Sequence, residues 1–218
     1  MRVVQATGYR EPRDALSHDW IDWAAARGHL AIPVPNRLRD PAGYLDELGV
    51  EALVLTGGND LVPRPGAPDD TSPERTATEQ ALLAHAIASG RPVLGVCRGL
   101  HVVNRHFGGD VIDDIGAGPV PHVARDHTLR LSDDFGALAG DARIRTNSFH
   151  AQAVGEDGVG KGLEIFAVSP EDRIVEGLHH CERPVLAVQW HPERQNPATA
   201  FDDVIIGRLF TEGAFWRP

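Results

Sequence analysis

A cysteine, a histidine and a glutamate stand where they could serve as nucleophile, base and orienting carboxylate. Cys97 lies in Arg91-Pro92-Val93-Leu94-Gly95-Val96-Cys97-Arg98-Gly99-Leu100, an apolar run that turns abruptly into a helical pattern. Gly-x-Cys-x-Gly between a strand and a helix is the cysteine form of a nucleophile elbow. Gly95 and Gly99 allow a tight bend and let the helix start pack close to the strand. The thiol then sits at a helix N-terminus, where the dipole and free N–H groups favour a thiolate. Free cysteines are also often buried and inert, so this segment alone leaves both readings open.

A second segment shifts the balance. Pro184-Val185-Leu186-Ala187-Val188-Gln189-Trp190-His191-Pro192-Glu193 reads as a short apolar strand ending in an imidazole and a carboxylate. In extended backbone, residues i and i+2 share a face, so His191 and Glu193 point the same way. Pro192 biases His191 toward that extended backbone. Glu193 can then orient one ring nitrogen while the other takes the thiol proton. In Glu51-Ala52-Leu53-Val54-Leu55-Thr56-Gly57-Gly58-Asn59-Asp60, a strand runs into two glycines whose N–H groups a ligand can approach. Acyl transfer needs donors aimed at an oxyanion, a role that fits the N–H groups of Gly58 and Arg98.

Together these segments resemble the class I glutamine amidotransferases, in the branch grouped with γ-glutamyl-peptide hydrolases. The matching residues are Leu55 to Asp60, Gly95 to Leu100, Asn147-Ser148-Phe149-His150-Ala151-Gln152, and Gln189-Trp190-His191-Pro192-Glu193, in the family's order. The resemblance implies Cys97 as nucleophile, His191 as base and acid, and Glu193 as orienting carboxylate. It implies a substrate-binding set of Gly57, His101, Asn147, Ser148 and His150. It also implies a cysteine-dependent γ-glutamyl amide hydrolase working through a thioester, with no metal or organic cofactor.

One residue departs from the pattern. The family's glutamine four residues after the cysteine is His101 here, a change that either alters substrate fit or disables the site. A narrower likeness rests on Arg13-Asp14-Ala15-Leu16, Asp19-Trp20, Pro33-Val34-Pro35-Asn36, His122 with His127, and the ending at Arg194. It is to a sub-branch that releases glutamate from a γ-glutamyl group on a cytidine-diphosphate amidate. Better-known relatives hydrolyse γ-glutamyl-γ-aminobutyrate. A glutaminase subunit feeding a synthase partner and a non-catalytic γ-glutamyl-binding protein are the competing readings.

The elements that must position these residues alternate through the first half. Strands are expected at 2–6, 30–34, 52–56 and 93–96, and helices at 14–27, 42–48 and 74–89, with an elbow helix to Phe107. Short strands follow around 128–132, 143–147, 163–169, 173–178 and 184–190, closed by a helix at 202–211. This predicts one α/β domain over 1–218, a three-layer αβα, flavodoxin-like arrangement with a mostly parallel central sheet. Ligands bind such sheets at the carboxyl ends of the strands, where Gly58 and Cys97 fall. The proline-rich stretch from Asp60 to Thr76 is either a lid on the leaving-group side or a solvated insertion. Arg75 and Glu79 are either pocket residues or a surface i,i+4 pair.

Composition limits the alternatives. The 218 residues carry 31 acidic and 21 basic side chains, a formal charge of −10. That argues against a broad nucleic-acid surface, while leaving room for a local phosphate pocket among Arg98, Arg105, His122, Arg125 and His127. No apolar run approaches the roughly 18 residues of a membrane span, and Met1 to Gln5 lacks a signal-peptide core. The partner expected is a small γ-glutamyl substrate, with no nucleic acid and no membrane; a synthase partner or self-association stays open. Two cysteines give no disulfide framework, and a nucleophilic Cys97 fits a reducing cytoplasm. His179, His180 and Cys181 invite a metal reading, but no second cluster has zinc spacing. His122 and His127 likewise read as loop or pocket residues rather than metal ligands.

Overall fold

The computed structural model describes residues 2–6, 9–116 and 122–217. Strand β1 (Arg2–Ala6) pairs antiparallel with β2 (Tyr9–Arg13) as a separate two-stranded unit. Helix α1 (His18–Ala26) follows, starting later than the expected 14–27 because the Ser17 side chain caps it by accepting from Asp19 N–H. Helix α2 (Pro41–Glu47) has proline at its first position and the Asp40 carboxylate on Gly43 N–H. Then come β3 (Leu53–Leu55), α3 (Pro73–Ala88), β4 (Val93–Val96) and α4 (Arg98–His106). The second half holds β5 (Val123–Leu131), α5 (Asp133–Ala139), β6 (Arg143–Phe149), β7 (Val154–Gly155), β8 (Leu163–Val168), β9 (Ile174–His180), β10 (Val185–Val188) and α6 (Thr199–Glu212).

Among the described residues, eight strands form one sheet in the order β3-β4-β10-β9-β8-β5-β6, with β7 on β9. Pairing is parallel for β3–β4 and β4–β10 and antiparallel elsewhere. The α/β architecture is therefore as expected, but the sheet is mixed rather than mostly parallel. Two physical causes account for the difference. Residues 30–34 do not form a strand, since Pro33 and Pro35, within and just beyond them, have no N–H to give a ladder. In the second half, short connections between successive strands favour antiparallel pairing.

The parallel strands carry the site, and their side chains show why they are central. In β4, Leu94 and Val96 join one core cluster while Val93 joins the other. In β10, Leu186 and Val188 face the first cluster, and Val185 and Ala187 the second. The first cluster is covered by Trp20 and Trp23 of α1 and Ile205, Ile206 and Leu209 of α6. The second is covered by Leu45 of α2, Leu82 and Leu83 of α3, and Leu100 and Val103 of α4. Strands buried on both faces read as unbroken apolar runs, as these do. Truncating Leu94 or Leu186 to alanine would cost about 2–5 kcal/mol. Helix α5 escaped the sequence reading because seven residues ending at left-handed Gly140 give too short a period to detect.

Candidate active site

The carboxyl ends of the adjacent strands β3, β4 and β10 bring Gly57, Cys97 and His191 together. Val188 pairs with Val96, and the Cys97 N–H donates to Val188 C=O at 2.8 Å. A Cβ on Gly57 would lie 2.8 Å from His191 Cε1 and 3.4 Å from Cys97 Cβ. Only a hydrogen fits there. Cys97 itself has φ 54 and ψ −107, a conformation that costs strain for a residue with a Cβ. Gly95 and Gly99 accommodate the bend: a Cβ on Gly95 would lie 2.8 Å from Gly99 C=O, and one on Gly99 would strike Leu55 O.

His191 is buried, and its Nδ1 pairs with Glu193 Oε1 at 2.7 Å. Among the described residues Nε2 has no hydrogen bond within ordinary distance limits, yet the Cys97 side chain is near enough to act on the ring. Catalytic hydrogen bonds often tighten only when substrate is in place. Burial pulls the imidazole pKa down, but Cys97 and Glu193 outweigh it and raise the value to about 9. The ring therefore holds its proton through neutral pH. Phe149 packs edge-on to the imidazole, with ring centroids 5.8 Å apart, and Arg194 lies over Phe149.

The two expected oxyanion donors share a carboxylate tether. Arg75 Nη2 donates to the C=O groups of Thr56, at 2.7 Å, and Gly57, at 3.0 Å. In a trans peptide the Gly57 C=O and Gly58 N–H point oppositely, so this grip turns the Gly58 N–H away from the guanidinium. Gly58 has φ +136, and a Cβ there would collide with Arg75. Arg98 opens α4, so its N–H belongs to a first turn that lacks intrahelical acceptors. Glu79 binds Arg75 Nε through Oε1 at 2.7 Å and Arg98 Nη1 through Oε2. Arg75 and Glu79 are thus an internal brace, not a surface pair, and their i,i+4 spacing alone did not reveal it.

The segment expected to line the substrate turns inward. Asn147 Oδ1 accepts the His191 N–H at 2.9 Å, and its Nδ2 donates to His191 C=O at 2.9 Å and Gln195 C=O at 3.0 Å. Ser148 Oγ donates to His122 C=O at 2.8 Å. His150 Nδ1 donates to Gln152 C=O at 2.9 Å, and Nε2 faces Glu176 Oε1 at 3.4 Å. His101 is fully enclosed; its Nε2 donates to Gln189 Oε1 at 2.8 Å, and burial lowers its pKa to about 3. Asn147 and Ser148 spend their side-chain polar atoms on protein hydrogen bonds, while among the described residues His101 Nδ1 and His150 Nε2 remain buried without one. Gly57 does lie against Cys97 and His191.

Other features take different places from those expected. Gln152 pins the proline-rich loop, accepting from Leu61 N–H at 2.8 Å and donating to Val62 C=O at 2.6 Å. His180 Nδ1 accepts from Glu182 and Arg183 N–H groups, which spends it as a turn cap beside Cys181. His122 and His127 are buried against Glu176, at 3.5 Å each. Trp190 Nε1 and Asn196 Nδ2 donate to the buried Asp202, at 2.8 and 2.6 Å, tying the His191 segment to α6. Burial raises the Asp202 pKa to about 7 against those two bonds.

A strained cysteine elbow, facing a carboxylate-held histidine on a three-layer α/β frame, is the arrangement of a class I glutamine amidotransferase-like protein. A Peptidase C26 family profile matches residues 5–193. A glutamine amidotransferase-like protein of Lactococcus lactis is 32% identical, over 89% of this chain and 86% of its own. The γ-glutamyl-CDP-amidate hydrolase of Campylobacter jejuni is 24% identical, over 89% and 88%. A solved structure from Thermoplasma acidophilum, described as a GMP synthase subunit, superposes with TM-score 0.68 at 22% identity, over 91% of this chain and 88% of that one. The chain belongs to the Peptidase C26 family of glutamine amidotransferase-like hydrolases.

Proposed function

We propose that this protein hydrolyses the γ-amide bond of a small γ-glutamyl compound through a thioester on Cys97. The observation that carries the reading is the convergence of Gly57, Cys97 and His191, with Glu193 on the far ring nitrogen. The His191 imidazolium already holds the thiol's proton, and the Cys97 thiolate attacks the γ-carbonyl. The Gly58 and Arg98 N–H groups receive the oxyanion. As the tetrahedral adduct collapses, the C–N bond breaks and the imidazolium gives its proton to the departing amine. Water then attacks the thioester with His191 as base, releasing glutamate and restoring the thiol. The raised imidazole pKa supports this proton custody.

Candidate leaving groups are a nucleoside-diphosphate amidate and γ-aminobutyrate, the first supported by the Campylobacter relative. A cleft beside Phe149 is lined by Arg125, Arg145 and Arg194 together with Asp126, which pairs with Arg145 at 3.6 Å. With Arg194 paired to Glu193, Arg125 is the basic group best placed to meet an anionic leaving group. The test is glutamate release by wild type and Cys97→Ala on L-glutamine, γ-glutamyl-γ-aminobutyrate and a γ-glutamyl nucleotide amidate. Cys97-dependent release from one of the last two supports the free-standing hydrolase and names its amine. Release from glutamine alone, rising with a co-purifying synthase, supports an ammonia-delivering protein, a reading favoured by the name of the Lactococcus relative. Undiminished release by Cys97→Ala contradicts both.

A further inference from the structure

Behind the triad lies a cluster that the hydrolytic scheme does not use. Glu176 sits mid-strand in β9, fully buried, and among the described residues neither carboxylate oxygen has a hydrogen-bond partner. His122 Nδ1 and His127 Nε2 each lie 3.5 Å from Glu176 Oε1. His150 Nε2 lies 3.4 Å from the same oxygen. Among the described residues, both ring nitrogens of His127 are buried without a hydrogen-bond partner. One donor atom from each of His122, His127 and Glu176 can be chosen so that all lie within 4.8 Å of one another.

We propose that His122, His127 and Glu176 form a binding site for a divalent transition-metal ion of the zinc type. The distances leave room for a shared cation between these three side chains. Hydrogen bonds between such groups close to about 2.7–3.2 Å. Ligands bonded at about 2.0–2.1 Å on a tetrahedron stand about 3.3–3.4 Å apart. The observed 3.5 Å lies by the second value.

The outer contacts fit as well. His122 Nε2 pairs with Asp172 Oδ2 at 2.7 Å, the carboxylate–imidazole arrangement that fixes a ligand's tautomer and leaves the other nitrogen's lone pair inward. Ser148 Oγ, 3.4 Å from that inward Nδ1, already spends its proton on the His122 carbonyl. Two imidazoles and one carboxylate suit zinc or its first-row neighbours; magnesium and calcium want oxygen ligands throughout. One buried carboxylate with Asp172 behind it offsets the charge of a divalent ion. The site stands apart from the γ-glutamyl reading, because no triad residue belongs to it.

The experiment titrates Co2+ into the chelator-stripped Cys97→Ala chain, so that the catalytic thiol cannot supply the ligand. The expected result is one Co2+ per chain, with d–d bands of a nitrogen–oxygen site, no thiolate charge-transfer band, and a rise in Tm. His127→Gln in the same background should weaken binding at least about tenfold, and the partly exposed Asp172→Asn about 10–100-fold. Asp172→Asn keeps the test open if His127→Gln fails to fold. Absence of saturable Co2+ binding, or binding unchanged by the variants that fold, overturns the proposal and leaves a cluster held by protons alone.

Discussion

The Asn147 side chain grips the backbone of His191 at two points, accepting its N–H and donating to its C=O, each at 2.9 Å. The His191 backbone is therefore located by a residue on β6, across the sheet from the strand that leads into it. Asn147→Asp keeps the acceptor but places an oxygen against the His191 carbonyl. It should lower kcat by about 100-fold with little change in KM, as expected for a displaced catalytic group. Steady-state kinetics on the best substrate checks this; an equal change in KM alone would assign Asn147 to substrate binding.

The imidazole pKa gives a pH prediction with a definite sign. The folded value, about 9, exceeds the ordinary 6.5. Its contribution to stability is present in full below about 6.5 and is lost as pH rises through about 9. Release of a basic amine should fall over the same upper limb, because the ring no longer carries a proton to give. NMR titration of His191 should show the high value in wild type and a lower one in both Cys97→Ala and Glu193→Gln. An unchanged titration in both variants would refute the assigned causes.

Gly57→Ala tests the crowding at Cys97 and His191. The added methyl would stand 2.8 Å from His191 Cε1, so the ring must shift. Activity should fall by about 100-fold or more, while Tm moves little because the displaced group lies at a strand end. Wild-type activity in this variant would mean that the glycine is not packed on the histidine.

Asp202 makes a second pH-dependent prediction. Its folded pKa, about 7, lies above the usual 3.8, so its stabilising contribution is present below about 4 and lost as pH rises through about 7. Asp202→Asn loses the bond from Asn196 at every pH but carries no charge to bury. The Tm gap between wild type and Asp202→Asn should therefore narrow from about pH 5 to about pH 8. A gap that widens with pH would contradict the burial argument.

His101→Gln should leave both stability and the order of preference among leaving groups nearly unchanged. The side chain is enclosed and faces Gln189, and glutamine can still donate to that oxygen. A reordered substrate preference would show that position 101 reaches the substrate after all.

What the sequence disclosed follows from how locally each feature is encoded. Cys97, His191, Glu193 and the paired glycines sit in short contiguous motifs at strand ends, where turn chemistry and period-two geometry suffice to place them. The inward turn of Asn147, Ser148 and His150 depends on partners at 191, 122 and 176, which no local pattern reports. Two signals were nevertheless present. Glu79 shares the buried stripe of α3 with Leu82, Leu83 and Ala86, and Glu176 interrupts the apolar run of β9. A carboxylate on an apolar face must be paired or coordinated, and both are sites of tertiary connection. Residues 30–34 failed in the opposite way: apolar content predicted a strand that the neighbouring prolines forbid.

The most direct test of the account is intact-protein mass spectrometry of acid-quenched turnover mixtures, with peptide mapping of any adduct. The account predicts one γ-glutamyl group on the peptide bearing Cys97, formed in wild type, accumulating when deacylation is slowed in Glu193→Gln, and absent from Cys97→Ala. Glutamate release without any Cys97 adduct, and undiminished in Cys97→Ala, would contradict it.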